Sequence, residues 1–97
     1  MKTFEKIVSI DEYKFRITIS ANASSRSGKW SICQVYVKDI EQNKIIYKNE
    51  GALYGNPLTL KRGFKIAAKL GKKALLRNKK ISRDIEEFKK WDGVIKS

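Results

Sequence analysis

Side chains able to perform acid–base or nucleophilic chemistry are scarce in this 97-residue chain. The chain has no histidine, so it lacks an imidazole general base and a histidine metal ligand. Cys33 is its single cysteine and cannot form a zinc site alone. Glu86 and Glu87 are adjacent, and adjacent helix positions point in different directions. We therefore expect no catalytic site, no metal, no cofactor and no enzymatic activity.

Basic side chains carry the clearest chemical signal, and the chemistry that they offer is the binding of anions. The chain has 22 Lys and Arg against 10 Asp and Glu, a formal net charge of +12. Residues 51–83 hold ten of these bases and no acid. Charge of one sign on one third of a small chain raises the local concentration of polyanions. The partner that we expect is nucleic acid, with DNA favoured over RNA.

Most of these bases fall on one side of a helix predicted over residues 59–77. Thr59 is a suitable N-cap, and apolar residues recur at the helical period from Leu60 to Leu75. The opposite side, within an arc of roughly 120°, carries Lys61, Arg62, Lys65, Lys69, Lys72 and Lys73. No acid at i±4 neutralises this side, so a phosphate backbone would relieve its self-repulsion. The alternative interpretation is a solvated helix face without a partner.

The predicted sheet offers a second candidate site. Residues 13–20 alternate apolar and polar side chains, which places Lys14 and Arg16 on the face away from the helix. The same alternation adds Trp30 and Tyr36 to that face, where aromatic rings could stack on unpaired bases. The alternative is that the C-terminal helix or a second subunit covers Trp30, Ile32 and Tyr36.

A loop predicted over residues 21–29 holds two further candidate bases. Its small polar side chains are typical of a flexible connection. From such a loop, Arg26 and Lys29 could reach into a groove or clamp a nucleic-acid strand. They could equally be chance basic residues on a surface loop.

Two kinds of periodicity indicate an α+β fold. Alternating and β-branched residues predict strands over residues 4–10, 13–20, 30–38 and 45–48. We expect an antiparallel sheet of three to four strands packed on the one long basic helix. A second, short C-terminal helix is predicted to start at Ser82, after a break at Asn78. Its apolar stripe comprises Ile81, Ile85, Phe88 and Trp91.

Length and hydropathy predict a single domain over residues 1–97, located in the cytoplasm. No stretch approaches the roughly 18 apolar residues that a membrane span needs. The first residues, from Met1 to Glu5, lack the apolar run of a signal peptide. A single cysteine cannot form an internal disulfide, which fits a reducing compartment.

The order of the predicted elements resembles that of two groups of nucleic-acid-binding domains. Four strands followed by a helix is similar to the Pur and Whirly single-strand binders, which are often dimers. Three strands followed by a helix is similar to the small duplex readers of the AP2 type. Both resemblances imply nucleic-acid binding, and the first leaves a homodimer open.

Non-enzymatic nucleic-acid binding is therefore the function that we expect. Lysine-rich character favours electrostatic contact with phosphates and weak sequence specificity, because base reading tends to use arginine. The first rival is a protein-interaction module, such as an inhibitor, immunity protein or adaptor, that binds an acidic protein partner. The second rival is attachment to an anionic membrane surface.

Overall fold

Four strands and one helix make up the regular structure of the described residues. The computed structural model describes residues 1–50 and 57–95. Its elements in chain order are β1 (Lys2–Ile10), β2 (Tyr13–Ala23), β3 (Trp30–Asp39), β4 (Lys44–Asn49) and α1 (Leu60–Lys90). The strands form an antiparallel sheet in the order β1-β2-β3-β4. The predicted α+β class, with a sheet and one long helix, is confirmed.

Alternation along β2 places the core on one face of the sheet. Phe15, Ile17 and Ile19 are fully buried, whereas Lys14 and Arg16 between them are exposed. Period-two geometry sends successive side chains to opposite faces, so the burial pattern follows directly from the sequence. One face of the sheet therefore packs on α1, and the other faces solvent. We call the latter the outer face.

The register of β3 against β2 shifts at Cys33, which is an extra residue of β3 with no partner of its own. Because of this bulge, Ile32 joins Val35 in the core beneath α1. Trp30 lies two residues before Ile32 and shares its face. The prediction that Trp30 lies on the outer face was therefore wrong, because a bulge reverses the alternation.

α1 packs on the sheet through its first half. The Thr59 side chain caps it by accepting a hydrogen bond from the backbone N–H of Arg62, at 3.3 Å. Its buried residues are Gly63, Phe64, Ala67, Ala68, Gly71 and Leu75. These positions recur at the helical period and lie on the side that the sequence predicted to be apolar. Phe15 and Phe64 are buried together in this core, whereas Tyr13 is only half-buried.

α1 continues to Lys90 instead of ending near residue 77. A separate helix starting at Ser82 was therefore a wrong prediction. Asn78 costs less than about 1 kcal/mol of helix propensity, and neither Gly nor Pro occurs between Gly71 and Gly93 to stop the helix. Residues 76–90 are all exposed and follow Leu75, the last residue of α1 that is buried against the sheet. We call residues 76–90 the arm and the remainder of the described structure the body.

Candidate nucleic-acid interface

The predicted basic side of α1 forms a continuous row on the solvent side of the body. Lys61, Arg62, Lys65, Lys69 and Lys73 are exposed, and Lys72 is partly covered. We call these six residues the basic stripe. The stripe lies on the side of α1 opposite the buried glycines and alanines, because the helical period separates the two sets. The structure therefore brings all six predicted residues onto one surface.

Lys72 differs from its neighbours because it already has an anionic partner. Its ammonium group donates a hydrogen bond to the carboxylate of Asp11, in the turn between β1 and β2. This bond is the main reason that the pKa of Lys72 is raised above its ordinary value. Of the six stripe residues, Lys72 is thus the least available to an external phosphate.

The unbroken helix lengthens the basic surface beyond what the sequence predicted. Lys80 and Arg83 lie within the same arc of the helix as Lys65 and Lys69. From Lys61 to Arg83 the line spans about 33 Å at 1.5 Å per residue. That length is close to one helical turn of B-DNA, about 34–36 Å. Sequence reasoning missed both residues because it ended the helix at residue 77, although no helix breaker stands there.

The charge of this surface is left almost entirely without internal partners. The ion pairs of the described residues are Arg16–Glu5, Lys48–Glu50 and Lys72–Asp11. Of the ten bases in residues 51–83, only Lys72 is among them within the described part of the chain. Lys79 lies with its ammonium group 5.3 Å from the ring centroid of Tyr13. The remaining positive charge is free to attract an external anion.

The outer face of the sheet is the second predicted site, and its charges are better matched. The Nε atom of Arg16 lies 3.3 Å from a carboxylate oxygen of Glu5 on β1. The Nζ atom of Lys48 lies 3.4 Å from a carboxylate oxygen of Glu50. Lys14 is exposed on the same face. Two of the bases on this face therefore already have anionic neighbours.

Tyr36 lies on the outer face, as predicted, whereas Trp30 does not. The Tyr36 hydroxyl donates a 2.5 Å hydrogen bond to Glu50, and this bond is the main reason that the pKa of Tyr36 is raised. The Lys48 ammonium group is 5.9 Å from the centre of the same ring. Trp30 instead packs edge-on against Phe4, with ring centroids 5.0 Å apart. The pair of stacking rings predicted for this face is therefore reduced to one.

The loop between β2 and β3 is a compact turn that presents its two bases to solvent. The backbone N–H of Ser24 donates to the carbonyl of Lys29, and that of Gly28 donates to the carbonyl of Ser24. Arg26 and Lys29 are both exposed. Trp30, directly after the loop, pairs through its backbone with Leu58, just before α1 begins. Arg26 and Lys29 therefore lie at the end of the body where the basic stripe starts.

Two clefts flank α1, and each contains only one carboxylate. A cleft of about 530 Å³ beneath the arm includes Glu86, and one of about 580 Å³ beside β1 includes Glu5. No cluster of three or more His, Cys, Asp or Glu side chains suited to a metal ion occurs among the described residues. Within the same residues, no helix is long and apolar enough to cross a bilayer.

A scan against protein-family models, a search of curated proteins and a search of solved structures each returned no significant match. What the chain binds must therefore be inferred from the chemistry of its own residues. The strongest feature of that chemistry is the row of bases from Lys61 to Arg83, of which only Lys72 has a carboxylate partner among the described residues.

Proposed function

We propose that this chain is a non-enzymatic, cytoplasmic nucleic-acid-binding domain that contacts the phosphate backbone through the basic stripe. The observation that supports the proposal is a line of bases along about 33 Å of one rigid helix. Of the bases in this line, only Lys72 has a carboxylate partner among the described residues. A helix holds successive cations at fixed spacing, so it can meet a regular row of phosphates at little further entropic cost.

The chemistry of the stripe favours backbone contact over base reading. The row consists mostly of lysines, which are flexible point charges rather than rigid forks for base edges. Phosphate contacts give affinity and orientation but carry no direct sequence information. We therefore propose weak sequence specificity, with DNA favoured over RNA. Arg26 and Lys29 would extend the contact at the start of α1.

Salt dependence of DNA binding tests this proposal quantitatively. Each lysine or arginine that contacts a phosphate of duplex DNA contributes about −0.9 to the slope of log K against log salt. Contacts from Lys61, Lys65, Lys69 and Arg83, none of which has a carboxylate partner among the described residues, predict a slope near −4. The measurement is fluorescence anisotropy with labelled duplex DNA of about two helical turns, at roughly 50–200 mM salt. Replacing Lys65 and Lys69 by glutamine should make the slope shallower by about 2.

A matched control comes from the outer face. Lys14→Gln together with Lys38→Gln removes the same charge from the opposite side of the body, where both residues lie on neighbouring strands. This control should leave the slope unchanged if the stripe is the binding surface. An unchanged slope in a folded Lys65→Gln, Lys69→Gln variant would contradict the proposal. A change in the control alone would move the site to the outer face, around Arg16 and Tyr36.

The same titration with heparin, RNA and single-stranded DNA compares the affinity for duplex DNA with that for other polyanions. Affinity for DNA no greater than that for heparin would indicate attraction to any polyanion rather than a nucleic-acid site. The rival function, binding of an acidic protein, predicts weak DNA binding that the stripe substitutions hardly alter. RNA and single-stranded DNA decide which form of nucleic acid the stripe prefers, since their phosphate spacing differs from that of duplex DNA.

A further inference from the structure

The arm exposes large apolar side chains that the body does not cover. Ile81 is 53% exposed, Ile85 48% and Phe88 70%. We call these three residues the arm stripe. In α1 as a whole, the residues buried against the sheet end at Leu75. A surface of this kind on an extended helix is typical of an interaction site.

The spacing along the arm is that of a helix that packs against another helix. Asn78, Ile81, Ile85 and Phe88 follow one another at intervals of three, four and three residues. This is the a/d spacing of a helix–helix seam, with an asparagine at one core position. Leu70 and Ala74, half-buried on the body, continue the same side of the helix. The apolar seam therefore extends from the arm onto the edge of the body.

Charge along the arm changes sign twice. Four bases precede three acids, and two bases follow: Arg77, Lys79, Lys80 and Arg83, then Asp84, Glu86 and Glu87, then Lys89 and Lys90. Arg77 and Asp84 flank the seam on the same side. In an antiparallel pair of identical arms centred near residue 80, Asp84 of each copy would lie beside Arg77 of the other. The arm is thus electrostatically complementary to a second copy of itself at this pair of positions.

We propose that two copies of this chain form a homodimer by antiparallel pairing of their arms through the arm stripe. A two-fold interface uses the same surface twice, as this self-complementary arm requires. A stable interface buries roughly 800 Å² per partner, more than one side of a helix about 22 Å long supplies. The overlap must therefore reach the body, with Phe88 of one copy near Leu70 and Ala74 of the other. The two-fold axis then passes close to residues 80 and 81.

Sedimentation velocity without nucleic acid tests the dimer directly. The wild-type chain should shift from monomer to dimer as its concentration rises. Ile85→Asp together with Phe88→Asp should weaken association about thirty-fold or more, the loss of one strong interface residue. Leu76→Asp is the matched control, because Leu76 is also exposed, at 40%, but lies on the other side of the arm. It should leave the dimer intact.

Charge reversal tests whether the partner is a second arm in the antiparallel orientation. Arg77→Glu should weaken the dimer by placing an acid beside Asp84 of the other copy. Adding Asp84→Lys to the same chain should restore it, because the complementary pair returns with the signs exchanged. Failure of this double variant to recover the dimer, while it remains helical by circular dichroism, would contradict charge pairing between the arms.

Spin labels measure the orientation of the two arms. In a Cys33→Ser background, a label at Lys90→Cys should lie about 30 Å from its counterpart in an antiparallel pair centred near residue 80. A parallel pair predicts about 10 Å, the distance between packed helices. The shorter distance would overturn the antiparallel arrangement.

Two further outcomes would overturn the proposal as a whole. One is a wild-type chain that stays monomeric at every concentration tested. The other is a monomer whose arm binds vesicles of phosphatidylserine and phosphatidylcholine and loses that binding in the Ile85→Asp, Phe88→Asp variant, because the arm stripe would then bind lipid. Both outcomes leave the DNA titration unaffected, since the arm stripe and the basic stripe lie on different sides of α1.

Discussion

Tyr36, Lys48 and Glu50 form a small network on the outer face of the sheet. Glu50 accepts a hydrogen bond from Tyr36, lies beside Lys48, and has its pKa lowered mainly by the Tyr36 bond and then by Lys48. The same bond raises the pKa of Tyr36. Here acids and bases neutralise each other within the protein. The contrast with the unneutralised basic stripe distinguishes the two candidate surfaces.

The network predicts that stability depends on pH, with a sign that follows from the pKa shifts of Glu50 and Tyr36. A lowered pKa of Glu50 means that its contribution to stability is present above 4.5 and is lost as the pH falls through the folded-state pKa. A raised pKa of Tyr36 means that its contribution is present below 10.0 and is lost as the pH rises above that value. Carboxyl carbon chemical shifts, measured against pH, should show Glu50 titrating below 4.5.

Removing the Tyr36 hydroxyl tests whether its hydrogen bond lowers the pKa of Glu50. Tyr36→Phe should raise the pKa of Glu50 towards 4.5, because the largest contribution to its shift is lost. Tyr47→Phe is the control, since the Tyr47 hydroxyl accepts a bond from Asn49 rather than contacting Glu50. An unchanged titration of Glu50 in the Tyr36→Phe variant would mean that Lys48 alone lowers the pKa of Glu50.

The elements that sequence reasoning predicted best are those with a strong, uninterrupted period. β2 alternates cleanly and α1 repeats at the helical period, so their buried faces could be predicted before the structure was known. The bulge at Cys33 could not be predicted from the sequence, because one inserted residue leaves no periodic signal. It nevertheless moves Trp30 to the opposite face of the sheet. The predicted end of α1 near residue 77 was wrong because Asn78 is a weak helix former that does not stop a helix.

Close contact between α1 and the sheet depends on two glycines. A Cβ at Gly71 would lie 2.7 Å from Cγ1 of Val37 and 3.4 Å from the ring of Phe15. A Cβ at Gly63 would lie 2.6 Å from Cδ1 of Ile32, the end of a longer side chain that can rotate away. Val37 is fully buried and β-branched, so it has little freedom to move. The two positions therefore differ in their tolerance of alanine.

Alanine substitutions at Gly63 and Gly71 should have different effects on the free energy of unfolding. Each gains about 1 kcal/mol of helix propensity. Gly71→Ala should also incur about 1–3 kcal/mol of overpacking, and so lower the free energy of unfolding by about 1 kcal/mol. Gly63→Ala should be close to neutral, because moving the Cδ1 atom of the buried Ile32 out of its rotamer offsets most of the propensity gain. Urea denaturation in the Ile85→Asp, Phe88→Asp background avoids any effect of association. Equal stability of the two variants would refute the account of how α1 packs.

At the scale of the whole molecule, the arm makes the chain elongated. Its radius of gyration is 17.8 Å and its extents are 65 × 26 × 20 Å. A compact domain of this length would have a radius of gyration of about 12–13 Å. An isolated helix of the arm's length is only marginally stable in water. The arm therefore has a physical reason to pack against something outside the body, which the proposed homodimer supplies.

A chain ending at Lys80 separates the roles of the body and the arm. It loses the arm stripe and Arg83 but keeps Lys79 beside Tyr13 and every residue of α1 that is buried on the sheet. We expect a monomer by sedimentation whose urea midpoint matches that of the monomeric full-length chain, because exposed residues contribute little to stability. The salt slope of DNA binding should become shallower by at most about 0.9, the share of Arg83.

Each alternative predicts a different behaviour of this shortened chain. If the arm were part of the folding unit, the shortened chain would unfold at markedly lower urea than the full-length monomer. If DNA binding required two stripes held together by the dimer, affinity would fall steeply although the slope per chain stayed nearly constant, because linked sites bind with a high effective concentration. A folded monomer with nearly unchanged affinity would show that one stripe is a sufficient binding surface. The arm would then serve association alone.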